Sequence, residues 1–346
     1  MTGHYRPAAK WRKSLLISDI DGTVVDMWDA WGQATRRAVS RLAYTRNIPV
    51  EAVEQALATT SKEKNISLID DLGYVILESS LAGQIDRSRA EKVTQAIGLA
   101  PEAVDNFILS RWWHDRDRYS ILHKGVEPTL WAARESGARI VLYSDSPRTL
   151  VLHRLWVSGF HLDLVDAIYC RNDPPGMKLR GLPRPHPGSD EASYKELLNG
   201  RFMVFTHTVK KPSLECMHRI LHDFEADPAE TMMIGDHAVD VASARLVPGM
   251  TAVWDIDGAR VSPATIAQYK RLNQWAHYGV GEESIRQRMV ELKLTPDLIL
   301  DRRFDQLASF VHFMPQHKRH IWPAAAAVPE LMIDPATFPL QYAAGG

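Results

Sequence analysis

Leu15-Leu16-Ile17-Ser18-Asp19-Ile20-Asp21-Gly22-Thr23-Val24-Val25-Asp26 is the stretch on which the fold turns. A short apolar run ended by Asp and Gly reads as a buried strand that finishes in a loop. Two carboxylates, Asp19 and Asp21, stand two residues apart at that strand end. Asp26 reads as structural.

Downstream the texture changes. From Trp28 to Ser120 apolar residues recur at helical spacing in Ala30 to Tyr44, in a stretch opening at Pro49, after Asp86, and in Pro101 to Arg118. Two of these carry Pro near the first turn. The segment reads as a helical insert, with its tryptophans (Trp28, Trp31, Trp112, Trp113) as packing residues. Lys62, Lys64 and Arg111 read chiefly as a solvated charged face.

Strands and helices then alternate. Glu127 to Ser136 reads as a helix stopped by Gly137, and Arg139 to Tyr143 as a buried strand ending at Ser144-Asp145. Ser146-Pro147 predicts a helix start with Ser as cap, followed by a helix to about Ser158 and a strand near Leu164 to Tyr169. The Pro-, Gly- and Arg-rich run from Arg171 to Gly188 reads as a loop or small insertion. Further strands are expected at Phe202–Phe205, Thr231–Ile234 and Thr251–Trp254, with helices from Pro212 and over His237–Arg245. Two more helices follow between Ala259 and Leu294, then a strand at Asp297–Leu300 and a helix at Arg303–Phe313. Repeated βα units imply an α/β protein, a doubly wound parallel sheet of Rossmann-like form with an inserted helical domain. The expected division is a core of 12–27 and 120–313, an insert of 28–119, a long insertion at 171–200, and a poorly ordered tail at 314–346.

Composition bounds the rest. The 346 residues exceed one average domain, and 45% hydrophobic with 24% charged residues is ordinary for a globular chain. A net charge of −1 gives no electrostatic reason to expect a nucleic-acid or membrane partner. Two cysteines, Cys170 and Cys216, make no disulfide framework, so a reducing, cytoplasmic setting is expected. The 14 histidines show no zinc-enzyme spacing.

In open parallel sheets, ligands bind beyond the carboxyl ends of the strands. The polar residues predicted there are Asp19, Asp21, Ser144, Lys211, Asp236 and Asp240. Carboxylates from several loops suit Mg²⁺, a hard cation that keeps waters. An aspartate beside such an ion serves as a nucleophile towards phosphorus, and Asp21 stands where it can protonate the leaving oxygen and activate water. Ser144 and Lys211 supply donors for the charge that the reaction spreads over oxygen. Lys210 competes with Lys211; the following Pro212 favours Lys211.

Asp19-Ile20-Asp21-Gly22-Thr23 resembles the first motif of the haloacid-dehalogenase-like (HAD) hydrolase superfamily. Ser144 resembles its second motif, Lys211-Pro212 the third, and Gly235-Asp236-His237-Ala238-Val239-Asp240 the fourth, in the same order. The resemblance runs from Leu15 to Trp254 and implies Asp19 as nucleophile and metal ligand. It implies Asp21 as acid/base and carbonyl ligand, Asp236 and Asp240 at Mg²⁺, and Gly22, Thr23, Ser144, Asp145 and Lys211 at the phosphoryl group. An insert between the first two motifs is similar to the helical-cap subgroup of phosphoglycolate phosphatases and β-phosphoglucomutases, whose cap covers the site.

The leading expectation is therefore a phosphatase acting on a small phosphorylated metabolite. A sugar phosphomutase shares the same core residues, and a non-catalytic binding relative is the alternative of another class. Asp21 argues against dehalogenation, which has no alkoxide to protonate. Asp255-Ile256-Asp257-Gly258 copies the first motif but lacks the Thr and reads as a decoy loop. His237 reads as exposed at a helix start. Oligomeric state is open.

Overall fold

The computed structural model describes residues 11–47, 49–55, 58, 115–172, 203–207, 209–272 and 281–315. Its centre is a seven-stranded parallel sheet. In chain order the strands are β2 (Leu15–Ser18), β5 (Arg139–Pro147), β6 (Ala167–Arg171), β7 (Met203–His207), β8 (Thr231–Gly235), β9 (Thr251–Asp255) and β10 (Leu298–Leu300). They lie side by side as β10-β9-β8-β2-β5-β6-β7. β2 is central, with Ser18 in register with Leu142 of β5 and with Ile234 of β8. Among the described residues four short strands stand outside the sheet: β1 (Trp11–Lys13), β3 (Val25–Asp26), β4 (Ile121–Leu122) and one at Val311–Phe313, with β3 and β4 paired antiparallel.

Alternation along the strands divides the core between the two faces. Leu16, Ile140, Leu142, Ile168, Met232, Ile234 and Val253 pack on one side against α2 (Val126–Glu135) and α3 (Arg148–Ser158), through Leu130, Val151 and Leu155. Leu15, Ile17, Val141, Tyr143, Met233 and Trp254 face the other way. There they meet α4 (Leu214–Asp223), α5 (Ala238–Arg245) and α8 (Glu282–Glu291), through Met217, Ile220, Val241 and Ile285. Strands apolar on both faces fold only where helices cover both, which is the doubly wound arrangement. Each fully buried Leu or Ile contributes about 1.5–3 kcal/mol of transfer free energy.

Several local expectations shift. β5 runs on through Pro147, and Ser146 does not cap α3, because its hydroxyl is spent on Asp21. The strand expected from Leu164 opens instead with a 3-10 turn at Leu162–Leu164 and forms at Ala167–Arg171. The helix expected over Arg303–Phe313 is short, α9 (Leu307–Phe310), and gives way to a strand, β11 (Val311–Phe313). β11 pairs in parallel with β1, for which no local pattern prepared. Asp255-Ile256-Asp257-Gly258 is a one-turn helix, α6 (Ile256–Ala259), capped by the Asp255 carboxylate, so the decoy reading of a loop becomes a capped turn.

α1 (Trp28–Arg46) opens the expected insert. It lies on α7 (Pro263–Arg271): Ser262 Oγ donates to Asp29 at 2.7 Å, Arg36 to Thr265 at 3.1 Å, and Tyr269 Oη to the Trp28 carbonyl at 3.1 Å. Residues beyond Trp254 thus seat the start of the insert. Residues 59–114, with Lys62, Lys64, Arg111, Trp112 and Trp113, and most of the 171–200 insertion and the 314–346 tail lie outside the described residues. Among the described residues no helix is long and apolar enough to cross a membrane.

Candidate active site

β2 and β8 end side by side, so the loops that follow them meet. The Asp19 amide donates to the Ile234 carbonyl at 2.9 Å, which carries the β2–β8 ladder past the strand end. Asp19 follows β2, Asp236 follows β8, and Asp240 lies in the first turn of α5. Carboxylate oxygens of all three lie within 4.8 Å of one another, and all three residues are buried.

Lys211 enters this group from the loop before α4. Its ammonium is ion-paired with Asp19 and lies 2.9 Å from Asp240 Oδ1, over the Tyr143 ring at 4.7 Å. The Asp145 carboxylate, at the end of β5, accepts from the Lys211 backbone amide at 2.8 and 3.1 Å and so fixes where the lysine stands. Asp145 touches the chain of Lys211, whereas the resemblance had it at substrate.

The charges do not balance within the group. Three carboxylates against one ammonium leave two negative charges in a buried place. Burial pulls Asp19 towards its proton, opposed by Lys211 and reinforced by Asp240 and Asp236. Burial and Asp240 do the same to Asp236, against the Trp28 hydrogen bond. Burial disfavours the Lys211 charge, but Asp19, Asp240 and Asp145 outweigh it and hold the ammonium protonated. A cluster of hard oxygens short by two positive charges fits a divalent cation such as Mg²⁺, which would relieve both upward shifts.

Asp236 is held on three sides. Its amide donates to Thr23 Oγ1 at 2.9 Å, the Thr23 hydroxyl lies 3.3 Å from Asp236 Oδ1, and Trp28 Nε1 donates to Oδ2 at 3.1 Å. Trp254 Nε1 donates to its carbonyl at 2.8 Å. Gly22, at φ +89°, leaves room for this: a Cβ there would lie 2.5 Å from Trp28 Nε1 and 2.7 Å from Asp236 Cγ. Gly22 and Thr23 therefore serve the Asp236 carboxylate. His237 is half-buried, not exposed, and caps α5 through Nδ1, while the Asp240 carboxylate accepts from the His237 amide at 3.0 Å.

Asp21 points elsewhere. Its Oδ2 accepts from Ser144 Oγ at 3.1 Å and Ser146 Oγ at 2.7 Å and is ion-paired with Arg154 of α3. Its Oδ1 is buried without a hydrogen-bond partner among the described residues. Ser144 also accepts from the Ser146 amide at 3.0 Å, so this serine is engaged with Asp21 and not with Lys211.

The structure thus brings Asp19, Lys211, Asp236 and Asp240 into one cluster, and Asp21 and Ser144 into a second beside it. Three members were missed in the sequence. Trp28 reads there as packing, Ser146 as a helix cap, and Arg154 as one more residue of a helix; nothing local marks any of them.

Residues 208–254 match a family model described as “HAD-hyrolase-like”, the haloacid-dehalogenase-like hydrolases. The segment that carries Lys211, Asp236 and Asp240 is HAD-like. No curated protein sequence matches the chain. Among solved structures, a provisionally assigned phosphatase from Clostridium difficile is similar at 12% identity and a TM-score of 0.45, over 87% of this chain and 99% of that one. A provisionally assigned HAD-hydrolase from Bacillus subtilis, bound to magnesium, is similar at 14% identity and 0.44, over 86% and 98%. A provisionally assigned β-phosphoglucomutase from Thermotoga maritima is similar at 13% identity and 0.42, over 86% and 97%.

Proposed function

We propose that the protein hydrolyses phosphomonoesters of small metabolites, with Asp19 as nucleophile and Mg²⁺ held by Asp19, Asp236, Asp240 and the Asp21 carbonyl. The observation that carries this is the buried group of three carboxylates around Lys211 at the carboxyl ends of adjacent parallel strands. Such a group is costly to bury unless cations and anions complete it.

An Asp19 oxygen attacks phosphorus, the ester P–O bond breaks, and the leaving oxygen takes a proton from Asp21. An aspartyl phosphate on Asp19 results. Asp21, now a carboxylate, takes a proton from water as the water oxygen attacks phosphorus, and Asp19 is released. Lys211 meets the phosphoryl oxygens, while Ser144 holds Asp21, Asp145 holds the Lys211 backbone and the Gly22-Thr23 turn seats Asp236, and preplaced donors of this kind are worth several kcal/mol at the transition state. Mg²⁺ held by Asp19, Asp236 and Asp240 would supply the remaining positive charge for the phosphoryl transfer. α1 (Trp28–Arg46), the described opening of the segment expected as a cap, borders the site through the Trp28–Asp236 hydrogen bond, where a cover would keep bulk water from the aspartyl phosphate.

The test is turnover of an aryl phosphate with Mg²⁺ and with chelator, and in Asp19→Asn. Loss of turnover in chelator and in the variant, with the variant still folded by circular dichroism, is expected. Undiminished activity in either would sink the proposal.

A further inference from the structure

Arg154 is 4% exposed on α3, its guanidinium 5.6 Å from the Trp31 ring of α1. Burying a guanidinium is costly without a task that repays it. Here it pairs with Asp21 Oδ2 and donates to Ser146 Oγ at 2.7 Å, while Ser146 itself donates to the same Oδ2. With Ser144, three donors converge on one oxygen of one carboxylate. A carboxylate so held cannot rotate about its last torsion without breaking all three contacts. Oδ1 is left as the oxygen with no hydrogen-bond partner among the described residues.

We infer that Arg154, with Ser146, is a positioning residue that fixes Asp21 so that proton transfer to the leaving group runs through Oδ1. The inference rests on the proposed function but concerns a residue outside the motifs that led to it. It predicts a selective defect. An alkoxide leaving group needs the proton as the P–O bond breaks, whereas p-nitrophenolate leaves without it. Misplacing Asp21 should therefore slow alkyl phosphates and spare p-nitrophenyl phosphate.

The experiment compares wild type, Arg154→Met, Arg154→Lys, Ser146→Ala, Asp21→Asn and the double variant Asp21→Asn/Arg154→Met, on glycerol phosphate and p-nitrophenyl phosphate with Mg²⁺. Met keeps an unbranched apolar stem while removing the donor. The expected result is a kcat loss of about tenfold or more on glycerol phosphate in Arg154→Met, about threefold or less on p-nitrophenyl phosphate, and KM little changed. Lys should restore part of the loss, Ser146→Ala should show a weaker defect of the same selectivity, and the double variant should be no slower than Asp21→Asn. Equal losses on both substrates, a rise in KM alone, or additive losses in the double variant would overturn the inference while leaving the phosphatase reading intact. Should Arg154→Met not fold, Ser146→Ala decides by the same criterion. If wild type turns over neither substrate, or Asp19→Asn is as active as wild type, the phosphatase reading fails and the inference with it.

Discussion

Gly22→Ala joins backbone and site in one substitution. At φ +89° an L residue is strained by about 1–2 kcal/mol, before any contact is counted. The new methyl would lie 2.5 Å from Trp28 Nε1 and 2.7 Å from Asp236 Cγ, distances at which something must move. Asp236 is tied by Thr23 and the Trp254 bond, so the Trp28–Asp236 hydrogen bond gives way. A lost bond to a charged acceptor costs about 1.5–3 kcal/mol. The two effects together come to about 2.5–5 kcal/mol of stability, and displacement of Asp236 by an ångström costs about 100-fold in turnover. Urea unfolding at fixed Mg²⁺ and steady-state kinetics with Mg²⁺ titrated measure each. Stability within about 0.5 kcal/mol of wild type, with an unchanged Mg²⁺ requirement, would refute the account of Gly22 as the room in which Trp28 and Asp236 meet.

Trp28→Phe keeps most of the ring and removes only the donor to Asp236 Oδ2. It should raise the Mg²⁺ needed for half-maximal turnover by about tenfold, as loss of a partner that orients a metal ligand does; an unchanged requirement would make Trp28 a packing residue after all. His123 is kept neutral by burial, against a hydrogen bond with the Gly22 backbone, with its pKa lowered to about 4. The unfolded chain therefore takes up the proton first, and stability falls by about 2–3 kcal/mol as pH drops from 6.5 towards 4. In His123→Gln, urea midpoints between those pH values should fall less steeply, and parallel slopes would count against the assignment.

What was legible in the sequence is what local chemistry dictates. Leu15-Leu16-Ile17 announces a buried strand because a short apolar run stopped by Asp and Gly fits a strand covered on both faces, and Gly235-Asp236 announces a strand end. The order of βα units then sets the sheet. Contacts made only by folding were not legible. Trp28 and Asp236 are 208 positions apart, and Arg154 meets Asp21 only because β5 lies beside β2. Ser146 was misread for a related reason: a serine before a proline is a good cap by local rules, but its hydroxyl found a carboxylate across the site. β11 escaped because its partner, β1, is 300 positions away, Trp11 facing Val311.

The place of β2 has a consequence for how the protein fails on heating. Hydrogen-bonded on both edges and shut off from water on both faces, it belongs to the part of the molecule whose amides exchange with deuterium only when the whole sheet comes apart. Asp19 is anchored to that slowest-opening segment through Ile234. Asp19 itself should accordingly be lost only on global melting, whereas loosening of α1, α3 or α5 displaces Trp28, Arg154 or Asp240 and should cost function at lower temperature.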